Sequence, residues 1–325
     1  MYDYLLGGTD NFEVDREVVE GASAPFGGLE VFRENVRANR AFIDRAVCHL
    51  VAEAGIRQFL DIGTGVPVGD ATHAVAQRVA PECRVVYVDK DPIVLAHAHT
   101  LQRTTPEGAA AFVTGDLREP DEVLRAAALT LDLDRPVAIV LAAVLHLLPD
   151  GDDPYGIVRR LLDATAAGSH LVVTHLANDV NDMDASEQDE AVRWLNERTL
   201  ETYVLRSRDE VRRFFDGLEM VGPGVVGVDR WPVDGVAPAP AAGRRIPFHC
   251  GVGRTVTAPR RRVRPEPAGP EAAGAAPDPG SPSTPTSTSA ADPATPPGPV
   301  FTGPSGSTRW VTGHGTLSPG RRPTR

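Results

Sequence analysis

Short apolar runs recur along the chain, and each is followed by a stretch of helical spacing. Phe59, Leu60 and Ile62 make the first run, which Asp61, Gly63 and Gly65 bring to a tight turn within Arg57–Pro67. Further runs follow at Arg84–Val88, Ala110–Thr114, Pro136–Val144 and His170–Thr174. Runs of this length and content predict buried strands. Helical spacing is predicted between them at about 70–79, 92–102, 121–129 and 154–164, with Pro92 suited to a first helical turn. Upstream, Val31, Val36, Phe42, Ile43, Ala46, Val47 and Leu50 predict a helix over Leu29–Ala54, stopped by Gly55. Downstream, helices are expected over 185–200 and 209–215, the latter capped by Ser207. Final strands are expected at 218–228 and 246–256, joined by an exposed Pro/Ala loop at 232–243.

Strands alternating with helices predict an α/β, doubly wound parallel sheet. Right-handed crossovers then bring the strand C-termini to one edge, where open α/β sheets bind ligands. Asp61 to Gly65, Asp89, Asp116, His146 and His175 are all predicted there.

The two ends of the chain read differently. Residues 1–27 carry Tyr2, Tyr4, Phe12 and Phe26 but no long amphipathic pattern. They are expected to dock as an aromatic arm, or to act as a lid hinged at Gly7–Gly8. After Pro259 apolar residues nearly vanish among Pro, Ser, Thr and Gly, so 259–325 is expected to be a disordered tail. The expected division is an arm and helix serving as lid or cap (1–55), a ligand-binding domain (56–258) and the tail.

Composition narrows the choice of function. The formal net charge of −11 argues against a general nucleic-acid binder. Cys48, Cys83 and Cys250 are odd in number and far apart, which suits neither a disulfide framework nor zinc and fits a reducing cytoplasm. No metal site is expected. No apolar run reaches the length of a membrane span, and the first residues lack the basic and apolar regions of a signal peptide. Lys90 is the only lysine amid many arginines, a pattern read as coding bias.

The glycine turn carries the chemistry. A dinucleotide fingerprint wants a small residue three positions after Gly65, and Val68 stands there. No Gly-Lys-Ser/Thr ending supports a P-loop. Asp61, just before the first glycine, would repel phosphate and suits a ligand with a positive group. Asp89 is placed to accept from ribose hydroxyls, and Asp116 from an exocyclic amine such as that of adenine. Each aspartate alone reads equally well as a helix cap or turn. Together, in this order, they fit a ligand with an amino-acid end, a ribose and an adenine but no phosphate, which is S-adenosylmethionine.

The sequence also resembles the actinobacterial S-adenosylmethionine-dependent methyltransferase family known as methyltransferase family 19, formerly a domain of unknown function. The resemblance rests on YDYLLGGTDNF (2–12), NRAF (39–42), RQFLDIGTGVP (57–67), VVYVDKDPIVLAHA (85–98), GDLREP (115–120), RPVAIVLAAVLHLLPD (135–150), RW (230–231) and GVGR (251–254). It covers roughly 2–256; the tail lies beyond it, and family members usually carry residues ahead of the first motif. It implies a class I methyltransferase (Rossmann-like) fold with seven strands, the last antiparallel, and with an N-terminal helical arm ahead of the sheet. The cofactor is then expected on Asp61, Gly63, Thr64, Gly65, Asp89, Lys90, Asp91, Asp116 and Leu117. Tyr4, Asp10, Asn11 and Asn39 are expected to close over cofactor or acceptor.

Methyl transfer asks mainly for position and electrostatics. Where the acceptor must lose a proton, His146 is the candidate base by topology and His175 the second. A packed or capping histidine is the competing reading of both. His97 and His99 read as exposed helix positions. A small-molecule acceptor is expected, with no membrane partner. Two other functions compete: a non-catalytic sensor of S-adenosylmethionine or S-adenosylhomocysteine, and a nicotinamide-dependent reductase, which Val68 and Asp61 disfavour.

Overall fold

The computed structural model describes residues 1–9, 11–23, 28–65, 71–91, 94, 104–180, 185–232 and 246–256. All belong to one unit, Met1–Arg264. Several sequence expectations lie outside these residues: Asp10, Phe26, Val68, the 92–102 helix with His97 and His99 (apart from Val94), the 232–243 loop beyond Pro232, and the tail.

Seven strands form one sheet: β1 (Gln58–Ile62), β2 (Arg84–Asp89), β3 (Ala109–Thr114), β4 (Ala138–Ala142), β5 (His170–Leu176), β6 (Leu218–Gly227) and β7 (Phe248–Thr255). Their order is β3-β2-β1-β4-β5-β7-β6. β1 to β5 pair in parallel, and β7 runs antiparallel to both β5 and β6. The seven-stranded, doubly wound fold with its antiparallel closing strand agrees with the sequence expectation.

The apolar runs are continuous because both faces of the sheet are covered. Side chains alternate between the faces with period two. Phe59, Val85, Tyr87, Val140 and Val172 point into one core with Phe42, Val47 and Leu50 of α3 (Leu29–Ala52) and Val75 of α4 (Thr72–Val79). Leu60, Ile62, Val86, Ile139, Leu141 and Val173 point into the other. There they meet Val123 of α5 (Pro120–Ala127) and Leu161 of α6 (Pro154–Asp163). The strand order reverses between β2-β1 and β1-β4, which is where the crevice of such a sheet opens.

The structure adds detail to the sequence expectation at one place and differs from it at two. The N-terminal arm is helical as expected, and its helices extend into residues 1–27, where no period was read, as α1 (Tyr2–Leu6) and α2 (Glu13–Ser23). One is too short to show a period, and the other buries only Val19, Ala22 and Ser23 while leaving Val14 exposed. α7 (Ala185–Asn196) ends earlier than expected, and residues 197–207 run on as an irregular segment with one bridge, Ala177 to Arg206. β6 is broken by a bulge between Val221 and Val226, where Gly222 and Gly224 flank Pro223 with φ of +75° and +85°. Ser207 caps α8 (Arg208–Arg212) as expected, in a full capping box with Glu210.

Candidate functional site

A cavity of about 430 Å³ opens where β1 to β4 end. The turns after these strands line one side of it, and residues of α1, α2, α3 and α7 line the other. Its size falls in the usual range for small-molecule sites, roughly 300–1,000 Å³.

The glycine turn is built by close packing. Gly63 has φ of +74°, and a Cβ there would lie 2.4 Å from Val144 Cγ2. Only glycine lets the β1 and β4 turns approach this closely. Gly63 N donates to Val88 O at 2.8 Å, and Gly65 N to Asp89 Oδ2 at 2.8 Å. The second oxygen of Asp89 accepts from Asp91 N at 3.0 Å. Asp116 Oδ1 accepts from Arg118 N at 2.9 Å, and the Arg118 guanidinium reaches on to Asp152. Both carboxylates are thus aimed by backbone N–H groups, and a carboxylate has about four lone-pair sites, so each keeps acceptor capacity.

Asp61 is 6 % exposed and accepts from Thr72 Oγ1 at 2.7 Å. Burial raises its carboxyl above the ordinary range, opposed by the Thr72 hydrogen bond and the Arg40 guanidinium. A cationic group brought into the cavity would favour its charged form.

Of the residues singled out from sequence, Asp61, Gly63, Thr64, Gly65, Asp89, Lys90, Asp116, Leu117, Asn39 and His146 line this cavity together. Three of the cofactor candidates, and His175, lie outside its lining. Tyr4 donates to Glu20 at 2.8 Å. Asn11 donates to Asp3 at 2.7 Å and to Gly8 O at 2.9 Å, knotting the arm. Asp91 is exposed, at the far side of the Asp89 turn. The Gly7–Gly8 pair is folded into this knot: a Cβ on Gly8 would sit 1.9 Å from the Asp3 carboxylate, and Gly7 has the left-handed φ of a helix C-cap.

His146 stands on a single 3₁₀ turn, Leu145–Leu147, after β4. Its ring stacks on Tyr203 at 5.7 Å and meets His175 edge-on at 5.8 Å. Burial pushes its pKa well below the ordinary histidine value, so the ring is neutral near pH 7. Its Nδ1 is buried without a protein partner. His175 differs. Its Nδ1 meets Leu176 O at 2.7 Å, and a carbonyl can only accept, so the proton sits there. Its Nε2 is thereby left to accept from Arg206 at 2.9 Å. Burial pushes its pKa down to about 3. With both nitrogens occupied, His175 is a structural acceptor and not the second base.

Arg206, 2 % exposed, is the residue that sequence reasoning missed. It donates to Leu145 O at 3.1 Å, Leu148 O at 3.0 Å and Asp150 at 2.6 Å, and so holds the turn that carries His146. Val204 N adds a bond to His146 O at 2.8 Å. Nothing in the run TYVLRS marks its arginine as buried. Ala143 was missed as well: it lines the cavity with φ of +54°, strained for a residue with a Cβ.

The strand order reversing at β1 brings a buried acid, the glycine turn after it and carboxylates at successive strand ends to one cavity, in the fold of the class I methyltransferases. The cavity's residues fit S-adenosylmethionine. The carboxylates suit ribose hydroxyls, an exocyclic amine and a cationic centre, and Asn39 Oδ1, buried and without a protein partner, awaits a donor. The chain belongs to the S-adenosyl methyltransferase family, whose model matches residues 1–256, and S-adenosylmethionine is its cofactor. Two solved structures resemble it over most of their own length. A DUF574 family protein from Streptomyces avermitilis MA-4680 is 41 % identical, with a TM-score of 0.71 over 78 % of this chain and 95 % of its own. A candidate methyltransferase from Thermobifida fusca YX is 38 % identical, with a TM-score of 0.69 over 79 % and 93 %. No curated protein matches the sequence. Among the described residues, no helix is long and apolar enough to cross a membrane, and no cluster of side chains could hold a metal ion.

Proposed function

We propose that this protein transfers a methyl group from S-adenosylmethionine to a small-molecule acceptor held under the N-terminal arm. The observation that carries this reading is the make-up of this cavity. Its strand-end side carries the carboxylates and glycines, while Leu5, Val19, Phe32, Val36, Val192 and Leu195 contribute an apolar side. Bound cofactor supplies a methyl carbon made electrophilic by the attached sulfonium. The chain then has to orient the acceptor, exclude water and accept a proton where the acceptor has one to lose.

His146 is the group suited to the last task. It is neutral, it lines the cavity, and its Nδ1 is not used by the protein. The depressed pKa makes it a weak base, adequate for a hydroxyl or ammonium whose acidity rises as the new bond forms. Asp61, Asp89, Asp116 and the Gly63–Gly65 turn are assigned to the cofactor, with Thr64, Lys90 and Leu117 beside them.

The test is turnover by the full chain. S-adenosylhomocysteine formation is followed with a panel of apolar phenols, amines and carboxylic acids, and with peptide and oligonucleotide controls. Product with a small molecule, reduced at least about tenfold in kcat by His146→Ala with S-adenosylhomocysteine affinity unchanged, is the expected result. A chain that binds the cofactor yet turns over nothing in the panel would instead be the sensor. Turnover confined to peptide or oligonucleotide would refute the acceptor class.

A further inference from the structure

Phe32, Asn35, Val36 and Asn39 of α3 all line the cavity, at the i, i+3, i+4 and i+7 positions of one helix face. Phe32 and Val36 join the small apolar cluster of the arm with Leu5 and Val19. Asn39 donates to Tyr2 Oη at 2.9 Å. Asn35 is different. It is 8 % exposed, and its side-chain amide makes no hydrogen bond to any described residue. An amide offers two donors and an oxygen with two lone pairs. Leaving them unmet in a buried position is costly to a fold. Asparagine is also a poorer helix former than leucine. Leucine would thus serve α3 better on both counts, so the amide is there for what fills the cavity.

Its place on the helix points to the acceptor. Asn35 belongs to the half of α3 that packs on the arm, whereas Phe42, Val47 and Leu50 further along pack into the sheet core. The carboxylates and glycines assigned to the cofactor stand on the strand-end side of the cavity, and so does His146, after β4. Asn35 therefore faces a part of the acceptor other than its reacting group. Leu5, Val19, Phe32 and Val36 carry no charge, so an ionised group among them would lack the partner that its burial requires. A planar neutral group with a donor beside an acceptor meets both edges of an amide at once, as a carboxamide or lactam does.

We propose that Asn35 is a specificity-determining residue for the acceptor, reading a neutral carboxamide or lactam on an otherwise apolar frame, away from the atom that is methylated. The assignment rests on the small-molecule acceptor proposed above and narrows it. A plain apolar phenol would fill the space but leave the amide unmet.

The test is calorimetric titration of the full chain with S-adenosylhomocysteine and then, at saturation with it, with two series of phenols. One series is built on naphthol and the other on the longer hydroxybiphenyl. At the end far from the hydroxyl each compound carries a carboxamide, a carboxylate or an isopropenyl group, which are planar and of similar shape. On at least one frame, wild-type protein is expected to favour the carboxamide over the isopropenyl compound by about fivefold to a hundredfold, the range for two neutral hydrogen bonds. Asn35→Leu should abolish or reverse that order and keep S-adenosylhomocysteine affinity within about twofold. It should melt no lower than wild type, since an unpaired amide gives way to an apolar group of like size. A melting temperature lower by more than about 3 °C would show that the amide serves the fold, and weakened S-adenosylhomocysteine binding that it serves the cofactor. Either result overturns the proposal. So does wild-type protein that favours the carboxylate, ranks carboxamide and isopropenyl alike, or binds S-adenosylhomocysteine but none of the phenols. Those three outcomes leave methyl transfer itself standing. A wild-type chain that does not bind S-adenosylhomocysteine overturns the methyltransferase reading of the site and the proposal with it.

Discussion

The two sides of the cavity are held by different physics. The strand-end side rests on β1, β4 and β5, whose core residues Phe59, Leu60, Val140 and Val172 have no exposed surface. Its turns are locked by short backbone contacts and by Arg206. The arm side rests on a small separate cluster of Leu5, Val19 and Val36. That cluster is supplemented by the Asp3–Asn11–Gly8 knot and the Asn39–Tyr2 bond. A dense core opens only with global unfolding, whereas a small cluster under two short helices can open locally at lower cost. Under the proposed function this difference is a division of labour: the rigid side is suited to hold cofactor groups in fixed positions, and the arm side to admit and cover ligands.

The largest expected effect breaks the rigid side. Gly63→Ala places a Cβ into Val144 at a left-handed φ. The strain and the overlap together should cost about 2–4 kcal/mol in denaturant unfolding. S-adenosylhomocysteine binding should fall with it, because the β1 and β4 turns must separate. A fold loss under about 0.5 kcal/mol would mean that the turn is not packed as described.

Acid should act on the same side. Burial depresses His175 to about 3 and His170, at the start of β5, to about 4, with His146 also lowered. The unfolded chain binds these protons near pH 6.5 and the folded chain does not. Stability is therefore full above about 6.5 and falls as pH drops toward 4, by up to about 1.4 kcal/mol per pH unit for each histidine. Asp61 acts with the opposite sign: its raised carboxyl adds stability at low pH, which is lost as pH rises through its folded value. Unfolding free energies measured from pH 8 to 4.5 check the sum, and His170→Gln should flatten the slope.

Arg206→Met comes next. It orphans the carbonyls of Leu145 and Leu148 and the Nε2 of His175. The expected cost is about 2 kcal/mol, from lost hydrogen bonds in a buried site. Amide exchange at Val204, whose N–H bonds His146 O, should accelerate beyond the global change, since the 3₁₀ turn loses its anchor.

Gly8→Ala probes the other side. The new Cβ strikes the Asp3 carboxylate and undoes the knot with Asn11. Global stability should change by no more than about 1 kcal/mol, while proteolysis within the first 23 residues speeds up markedly. If global unfolding and arm cleavage move together, the arm belongs to the main core and the division of labour fails.

How much of this was legible in the sequence follows the same line. The strands of the rigid side were legible because Phe59, Leu60 and Ile62, or Val85–Val88, must be apolar when both faces are buried. Asp61, Asp89 and Asp116 were legible because topology alone puts strand ends on one edge. The arm was not: α1 spans less than two turns, and Phe12 and Val14 on or beside α2 face solvent, so no period emerges. Tyr4 and Asn11 were drawn toward the ligand by motif alone, whereas their partners Glu20, Asp3 and Gly8 belong to the arm itself. Arg206 was invisible because a buried arginine is defined by the carbonyls gathered around it, and these come from residues about sixty positions earlier in the chain.

Ala143 gives the smallest expected effect and the finest probe. It follows β4 directly, lines the cavity, and has φ of +54°, a region costly to any residue with a Cβ. Its N–H is held by Thr174, at 2.9 Å to Oγ1 and 3.1 Å to the carbonyl oxygen. The conformation is thus imposed by β5 and persists because the rigid side over-determines it. Ala143→Gly removes the Cβ strain but widens the unfolded ensemble, two terms of similar size and opposite sign. The net change should lie between about zero and +1 kcal/mol of added stability. The same substitution on the arm side would lower stability, because no strain would be relieved there. A measured loss above about 0.5 kcal/mol for Ala143→Gly would show that the β4 turn is not held in tension. The contrast between the two sides would then rest on packing alone.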